Sequence, residues 1–110
     1  MAIFHWKLQR ISAVLLVPII IYLAVYLLNL ENSSYLEVRE DISSFWGIII
    51  ISFSAIVLYT HSSLGIEIIL EDYIHDLNKQ IFFVNLSKLI HAILLGLTLI
   101  TLIVIKGNYL

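Results

Sequence analysis

Three long apolar runs constrain this chain more than any other feature of its sequence. They cover residues 11–30, 45–70 and 86–105, and each is long enough for a helix to cross a hydrocarbon core of about 30 Å. The runs are continuous rather than alternating, which excludes the strands of a membrane barrel. The sequence therefore predicts an all-α membrane protein with three transmembrane helices in one domain, residues 1–110.

The composition agrees with a membrane protein and narrows its chemistry. Hydrophobic residues make up 61% of the chain and charged residues 13%, whereas soluble domains carry about 25% charge. The net charge of −2 is too small to indicate a nucleic-acid partner. Cysteine is absent, which excludes thiolate-ligated iron–sulfur clusters and covalently attached haem within this chain. Any redox chemistry therefore requires a histidine-held cofactor or another subunit.

The positive charges predict an orientation in the membrane. The first apolar run is longer than the core of a signal peptide and no small-residue cleavage site follows it, so we expect a retained first span. Arginine and lysine are concentrated at the N-terminus and around the second connection, at Lys7, Arg10, Lys79 and Lys88, while the other side has Arg39 and Lys106. This distribution predicts an N-terminus on the cytoplasmic or matrix side, because positive residues favour that side.

His61 is an ionisable residue deep inside the second apolar run. Such a residue costs about 2.5–3.5 kcal/mol in a bilayer and usually marks an ion path, a ligand or a cofactor, and imidazole is a ligand of haem iron. At 100° per residue, Gly65 lies one turn away on the same face, where its small size would leave room for a flat macrocycle. The alternative is ordinary packing of small and polar residues against a neighbouring helix.

His91 in the third run lies at a depth close to that of His61. Two histidines of one chain could hold a haem between them, which would make the protein a self-contained b-type cytochrome. The alternative for His91 is a hydrogen bond to a neighbouring helix. A haem-free structural membrane protein is the third possibility that the sequence leaves open.

Further candidates lie where the first and second runs meet the inner surface. Asp72 and Tyr73 follow His61 by about 18 Å along a helix axis, and the Tyr73 phenol can donate a hydrogen bond to a quinone carbonyl. Tyrosine is also a normal residue of the aromatic belt at a membrane boundary. Arg10 and Ser12 are candidates to contact haem propionates or the head of a bound quinone or lipid, with a positive-inside anchor as the alternative for Arg10.

Two motifs resemble one known family. The sequence from His61 to Gly65, followed by Asp72-Tyr73, is similar to the H-x3-G-x6-D-Y signature of the hydrophobic membrane anchor subunit of succinate dehydrogenase, the D-type cytochrome b subunit of complex II. The N-terminal segment resembles the W-x2-Q-R-x-[ST]-A start of such anchors, through Trp6, Gln9-Arg10 and Ser12-Ala13. Glu71 departs from the pattern, since the family commonly has threonine or another small residue before Asp-Tyr.

The resemblance implies a non-catalytic anchor in a heteromeric helix bundle, serving succinate:ubiquinone oxidoreductase in the respiratory chain. It implies that His61 is an axial ligand of haem b, with the second histidine donated by a C-type cytochrome b anchor subunit. It also implies that Tyr73 binds ubiquinone and that Asp72 supports this site. The flavin and the clusters would belong to the flavoprotein and iron–sulfur subunits. The membrane would be the bacterial cytoplasmic membrane or the mitochondrial inner membrane.

Overall fold

The computed structural model describes residues 2–107, which form a helical protein without strands in that range. Its four α-helices are α1 (Ala2–Leu28), α2 (Tyr35–Ser43), α3 (Phe45–Tyr73) and α4 (Leu77–Lys106), with a 3₁₀ turn at Leu30–Asn32. Three segments of the described chain are long and apolar enough to cross a membrane, namely Ile3–Asn32, Phe45–Tyr73 and Leu77–Lys106. The predicted all-α membrane fold with three spanning helices is confirmed.

The helices extend beyond the apolar runs. α1 begins at Ala2 rather than at residue 11, and α4 begins at Leu77 rather than at residue 86. The added turns are rich in polar residues, which a helix tolerates once it leaves the hydrocarbon core. A bilayer with its headgroup regions is about 40–45 Å thick, and about 30 residues of helix at 1.5 Å each span that distance. Apolar runs therefore give only the central part of each helix.

The connection between α3 and α4 is a tight turn. Only residues 74–76 separate the two helices. The Asp76 carboxylate caps α4 by accepting the backbone N–H of Asn78 at 3.0 Å. The Gln80 side-chain amide donates to the carbonyls of Glu71, at 3.2 Å, and Ile74, at 3.0 Å. These bonds satisfy backbone groups at the end of α3 and the start of α4, so the turn is held without a long loop.

The first connection contains a short helix, α2, which no apolar run in the sequence marks. α2 begins with a capping box, in which the Ser34 hydroxyl accepts the backbone N–H of Glu37 at 3.2 Å and the Glu37 carboxylate accepts the N–H of Ser34 at 2.7 Å. Ser44 ends α2 and caps α3 through the N–H of Gly47 at 3.0 Å. The Asp41 carbonyl occupies the place that a Cβ of Gly47 would take, so glycine permits this sharp junction.

α3 is the central helix of the bundle, packed against α1 on one side and α4 on the other. Few apolar residues are buried in the part of the chain that the structure describes: Leu16, Ala55, Val57, Val84 and Leu102. Large apolar side chains are exposed along all three spans, as expected for surfaces that face lipid or other subunits. The start of α1 lies beside the end of α3, and residues 74–76 connect that end of α3 to the start of α4. We call this end of the bundle the turn end. The opposite end, covered by α2, is the α2 end.

Candidate functional site

His61 on α3 is hydrogen-bonded to α1 through Ser12. The distance from Ser12 Oγ to His61 Nδ1 is 3.0 Å, and Ser12 Oγ donates to the Gln9 carbonyl at 2.9 Å, a bond that serine commonly makes within a helix. A hydroxyl has a single proton. With that proton donated to the Gln9 carbonyl, Ser12 is the acceptor of a bond from His61 Nδ1–H. On this ground we assign the neutral tautomer of His61 that has a lone pair on Nε2.

The Nε2 atom of His61 has no hydrogen-bond partner within the described residues 2–107. A neutral imidazole nitrogen with a lone pair is the form that binds a metal. Histidine ligands of metals generally donate the other ring N–H to an acceptor, which fixes the tautomer and the ring orientation. The donor set around His61 therefore fits an axial ligand of haem iron.

His91 on α4 has a different environment. Its Nδ1 lies 2.7 Å from the Ser87 carbonyl, which can only accept, and its Nε2 lies 3.0 Å from Ser62 Oγ on α3. Nδ1 therefore carries the proton, and Nε2 accepts the Ser62 hydroxyl proton. Both ring nitrogens are used within this chain. The arrangement favours the interpretation of His91 as a hydrogen bond between neighbouring helices.

The face of α3 at Gly65 lies against α1. A Cβ at Gly65 would lie 3.5 Å from Gln9 Nε2 on α1, at van der Waals contact distance. The small residue allows close packing of α1 on α3. Room for a flat macrocycle beside Gly65 stays a prediction.

An ion pair that the sequence analysis did not single out connects α3 and α4. Lys88 Nζ lies 3.6 Å from Glu67 Oε1. The second carboxylate oxygen, Glu67 Oε2, is buried without a hydrogen-bond partner among residues 2–107, as is Gln9 Oε1 on α1. In the sequence, Glu67 lies in the second apolar run and Lys88 in the third. Ionisable residues inside a membrane tend to pair with one another.

Arg10 lines a cavity of about 410 Å³ between α1 and α3 at the turn end. Its guanidinium carbon lies 5.1 Å from the centre of the Trp6 ring, in cation–π contact. The remaining lining residues are His5, Gln9, Leu64, Glu67, Ile68 and Glu71. The cavity thus offers cationic and aromatic groups on α1 and carboxylates on α3, including Glu71, the residue that departs from the family pattern.

Asp72 and Tyr73 are placed apart from His61. They are the last two residues of α3, about 18 Å along the axis from His61, and the Tyr73 side chain is 80% exposed. Neither side chain forms a hydrogen bond with another residue in the described part of the chain. The site residues predicted from sequence therefore form two groups, a ligand position between α1 and α3 and an open position at the turn end. Enclosing Tyr73 requires a surface from another molecule.

Comparisons with known proteins place these features in a family. Residues 1–105 match the family model described as succinate dehydrogenase/fumarate reductase transmembrane subunit. The succinate dehydrogenase membrane anchor subunit of Reclinomonas americana is 34% identical over 90 residues, covering 78% of this chain and 74% of the relative. No solved structure matches the chain significantly.

Two bacterial relatives show the same likeness. The succinate dehydrogenase hydrophobic membrane anchor subunit of Rickettsia prowazekii is 26% identical over 82 residues, which is 73% of this chain and 66% of the relative. The corresponding subunit of Rickettsia bellii is 31% identical over 70 residues, 64% of this chain and 56% of the relative. The family match covers nearly the whole chain and confirms the resemblance of its motifs. This chain belongs to the succinate dehydrogenase/fumarate reductase transmembrane subunit family.

Proposed function

We propose that this membrane anchor subunit of succinate dehydrogenase donates one axial ligand to a haem b, through His61 Nε2, and contributes Tyr73 to a ubiquinone site. The observation that carries the proposal is the hydrogen bond of His61 Nδ1 to Ser12, which leaves Nε2 with a free lone pair. A haem held there would accept and return single electrons. The chain itself supplies a ligand, an orientation and a low-dielectric wall.

The second axial ligand of this haem comes from another subunit in the proposed arrangement. Both nitrogens of His91 are engaged by Ser62 and Ser87, so ligation by His91 would break two hydrogen bonds inside the bundle. This observation disfavours a self-contained cytochrome that uses His61 and His91. As an anchor subunit, the chain associates with other subunits of complex II. We assign the second histidine to a C-type cytochrome b anchor subunit.

The quinone site in this proposal is formed at the turn end. Tyr73 donates a hydrogen bond from its phenol to a quinone carbonyl, and the neighbouring Asp72 supports the site by accepting hydrogen bonds. The high exposure of Tyr73 agrees with a pocket that is completed by partners, namely the iron–sulfur and C-type anchor subunits. The flavoprotein subunit oxidises succinate elsewhere in the complex. Arg10, in the cavity beside α3, pairs with a haem propionate or with the quinone head.

The orientation of this integral membrane protein follows from its charges. With the N-terminus on the cytoplasmic or matrix side, the turn end lies at the inner surface of a bacterial cytoplasmic membrane or a mitochondrial inner membrane. Tyr73 then faces the side on which soluble subunits that handle succinate are found. Electrons from those subunits reach a quinone at the membrane surface without crossing the bilayer.

Two matched substitutions test the haem assignment in the assembled complex. We expect His61→Leu to abolish the low-spin bis-histidine haem spectrum, because it removes the ligand nitrogen and keeps an apolar side chain. His91→Leu should keep that spectrum, because its nitrogens serve only Ser62 and Ser87. Visible absorption and electron paramagnetic resonance of purified complexes provide the measurement. The opposite pattern would assign the ligand to His91. A wild-type complex without haem absorption would mean that the chain has only a structural role.

A further inference from the structure

We propose that Ser12 is a positioning residue, which holds the imidazole of His61 in the tautomer and orientation that bind haem iron. The inference rests on the proposed role of His61 as ligand. It concerns a residue whose only predicted role was a contact with a propionate, quinone or lipid. The structure instead places the Ser12 hydroxyl 3.0 Å from His61 Nδ1.

The Ser12 hydroxyl is buried away from water. Ser12 is 4% exposed and is the one buried polar residue among those that the structure describes. A buried hydroxyl is expensive unless its hydrogen bonds are made, and here both roles are filled, with donation to the Gln9 carbonyl at 2.9 Å and acceptance from His61. Water is therefore not needed at this position and has little access to compete for the imidazole proton.

The hydrogen bonds form a chain from a backbone carbonyl to the ligand. The Gln9 carbonyl is part of α1, so it fixes the direction of the Ser12 hydroxyl, and the hydroxyl in turn fixes the His61 ring on α3. An acceptor at Nδ1–H also raises the basicity of the nitrogen that binds the metal. A more basic ligand stabilises the oxidised iron, so Ser12 should hold the haem potential lower than it would otherwise be.

The experiment compares three variants in the assembled complex. Ser12→Ala removes the acceptor. Ser12→Thr keeps the hydroxyl, and the anchor motif has either serine or threonine at this position. Leu16→Ala serves as the packing control, because Leu16 is buried on α1 one turn from Ser12 but forms no hydrogen bond to His61. The readouts are haem retention during detergent dialysis, the largest g value of the low-spin signal and the haem midpoint potential.

We expect Ser12→Ala to weaken haem retention by about 10- to 100-fold, to shift the g value and to raise the potential. Ser12→Thr and Leu16→Ala should resemble the wild type in g value and potential. If Ser12→Ala does not assemble, Ser12→Cys is measured, since a thiol is only a weak acceptor and should shift both quantities in the same direction.

The outcomes separate this inference from the proposed function. Wild-type g value and potential in Ser12→Ala, or in Ser12→Cys where that is the variant measured, would overturn the role of Ser12. The same shift in Leu16→Ala would overturn it too, by assigning the effect to packing. If these results appear while His61→Leu still removes the low-spin signal, the ligand assignment stands and only the inference fails. Retention of that signal in His61→Leu would refute both.

Discussion

His61 and His91 are the same side chain at similar depths of the bundle, yet their surroundings give them different chemistry. A serine whose proton is already donated turns His61 Nδ1 into a donor and leaves Nε2 free. A carbonyl and a second serine occupy both nitrogens of His91. The distinction depends on where two hydroxyl protons go, which no count of histidines in the sequence could show.

Tyr73 permits a test of the proposed quinone site at the level of one oxygen atom. In that proposal, Tyr73→Phe removes one hydrogen bond to a reacting carbonyl and keeps the ring. Such a bond is worth about 1.5–3 kcal/mol when charge develops on its partner, so ubiquinone reduction should fall about ten- to a hundredfold. Succinate oxidation with a soluble artificial acceptor should stay near the wild-type rate, because the proposed function assigns succinate oxidation to other subunits.

A matched control is available at the α2 end. Tyr35 is another exposed tyrosine, and Tyr35→Phe should leave both rates unchanged. Both rates are measured on membranes from each variant, with the amount of assembled complex as the reference. Equal rates of ubiquinone reduction in Tyr73→Phe and wild type would contradict the quinone role and would indicate that Tyr73 is an aromatic-belt residue.

Among the elements, α2 depends on its N-terminal cap. Backbone and side-chain hydrogen bonds with Ser34 lower the pKa of Glu37 below its ordinary value of 4.5. A carboxyl with a lowered pKa in the folded state stabilises the fold fully above its unfolded pKa. That contribution is lost as the pH falls through the lower folded pKa. The start of α2 should therefore loosen in acid below about the ordinary glutamate range.

Hydrogen exchange measures this effect at α2. Protection of the α2 amides, corrected for the intrinsic pH dependence of exchange, should fall as the pH is lowered below the ordinary glutamate pKa. Glu37→Gln keeps an acceptor for the capping box but does not titrate, so its protection should vary less with pH. Glu40→Gln, at an exposed position in the same helix, is the control and should follow the wild type. Identical pH profiles for all three proteins would contradict a role for the Glu37 charge.

Some of the helical elements could be predicted from the sequence and others could not. The three spans were predictable because long apolar runs have few other structures open to them in a membrane. Helix ends were not, because polar turns continue α1 and α4 beyond the hydrocarbon. α2 had a local signal, Ser34 followed by Glu37 three residues later, which its polar composition obscured. The pairing of Ser12 with His61 joins residues far apart in sequence and requires the relative position of α1 and α3.

At the scale of the whole molecule, most of the apolar surface is exposed and is available to contact lipid or other subunits. Its buried core is small and its large apolar side chains face outward. In the described part of the chain, Glu67 Oε2 and Gln9 Oε1 are buried without hydrogen-bond partners. Unpaired buried polar groups are costly in a membrane. Both features agree with a subunit that is completed by others, as its family membership indicates.

Expression without partner subunits tests this dependence. We expect the chain alone to aggregate in mild detergent or to be degraded in cells, and the same chain co-expressed with the other complex II subunits to accumulate. Size-exclusion chromatography of the purified material and pulse-chase measurement of its half-life give the comparison. A long-lived, monodisperse and haem-free monomer would count against an obligate anchor.

The short turn between α3 and α4 has a consequence for biogenesis. Two long apolar helices joined by three residues form a helical hairpin, and the pairs Glu67–Lys88 and Ser62–His91 both lie within it. His61 finds no such partner in the hairpin. Its imidazole proton is accepted by Ser12, so the bond requires that α1 is packed against this hairpin. Under the proposed ligand assignment, haem capture would therefore report that α1 has docked on the α3–α4 hairpin.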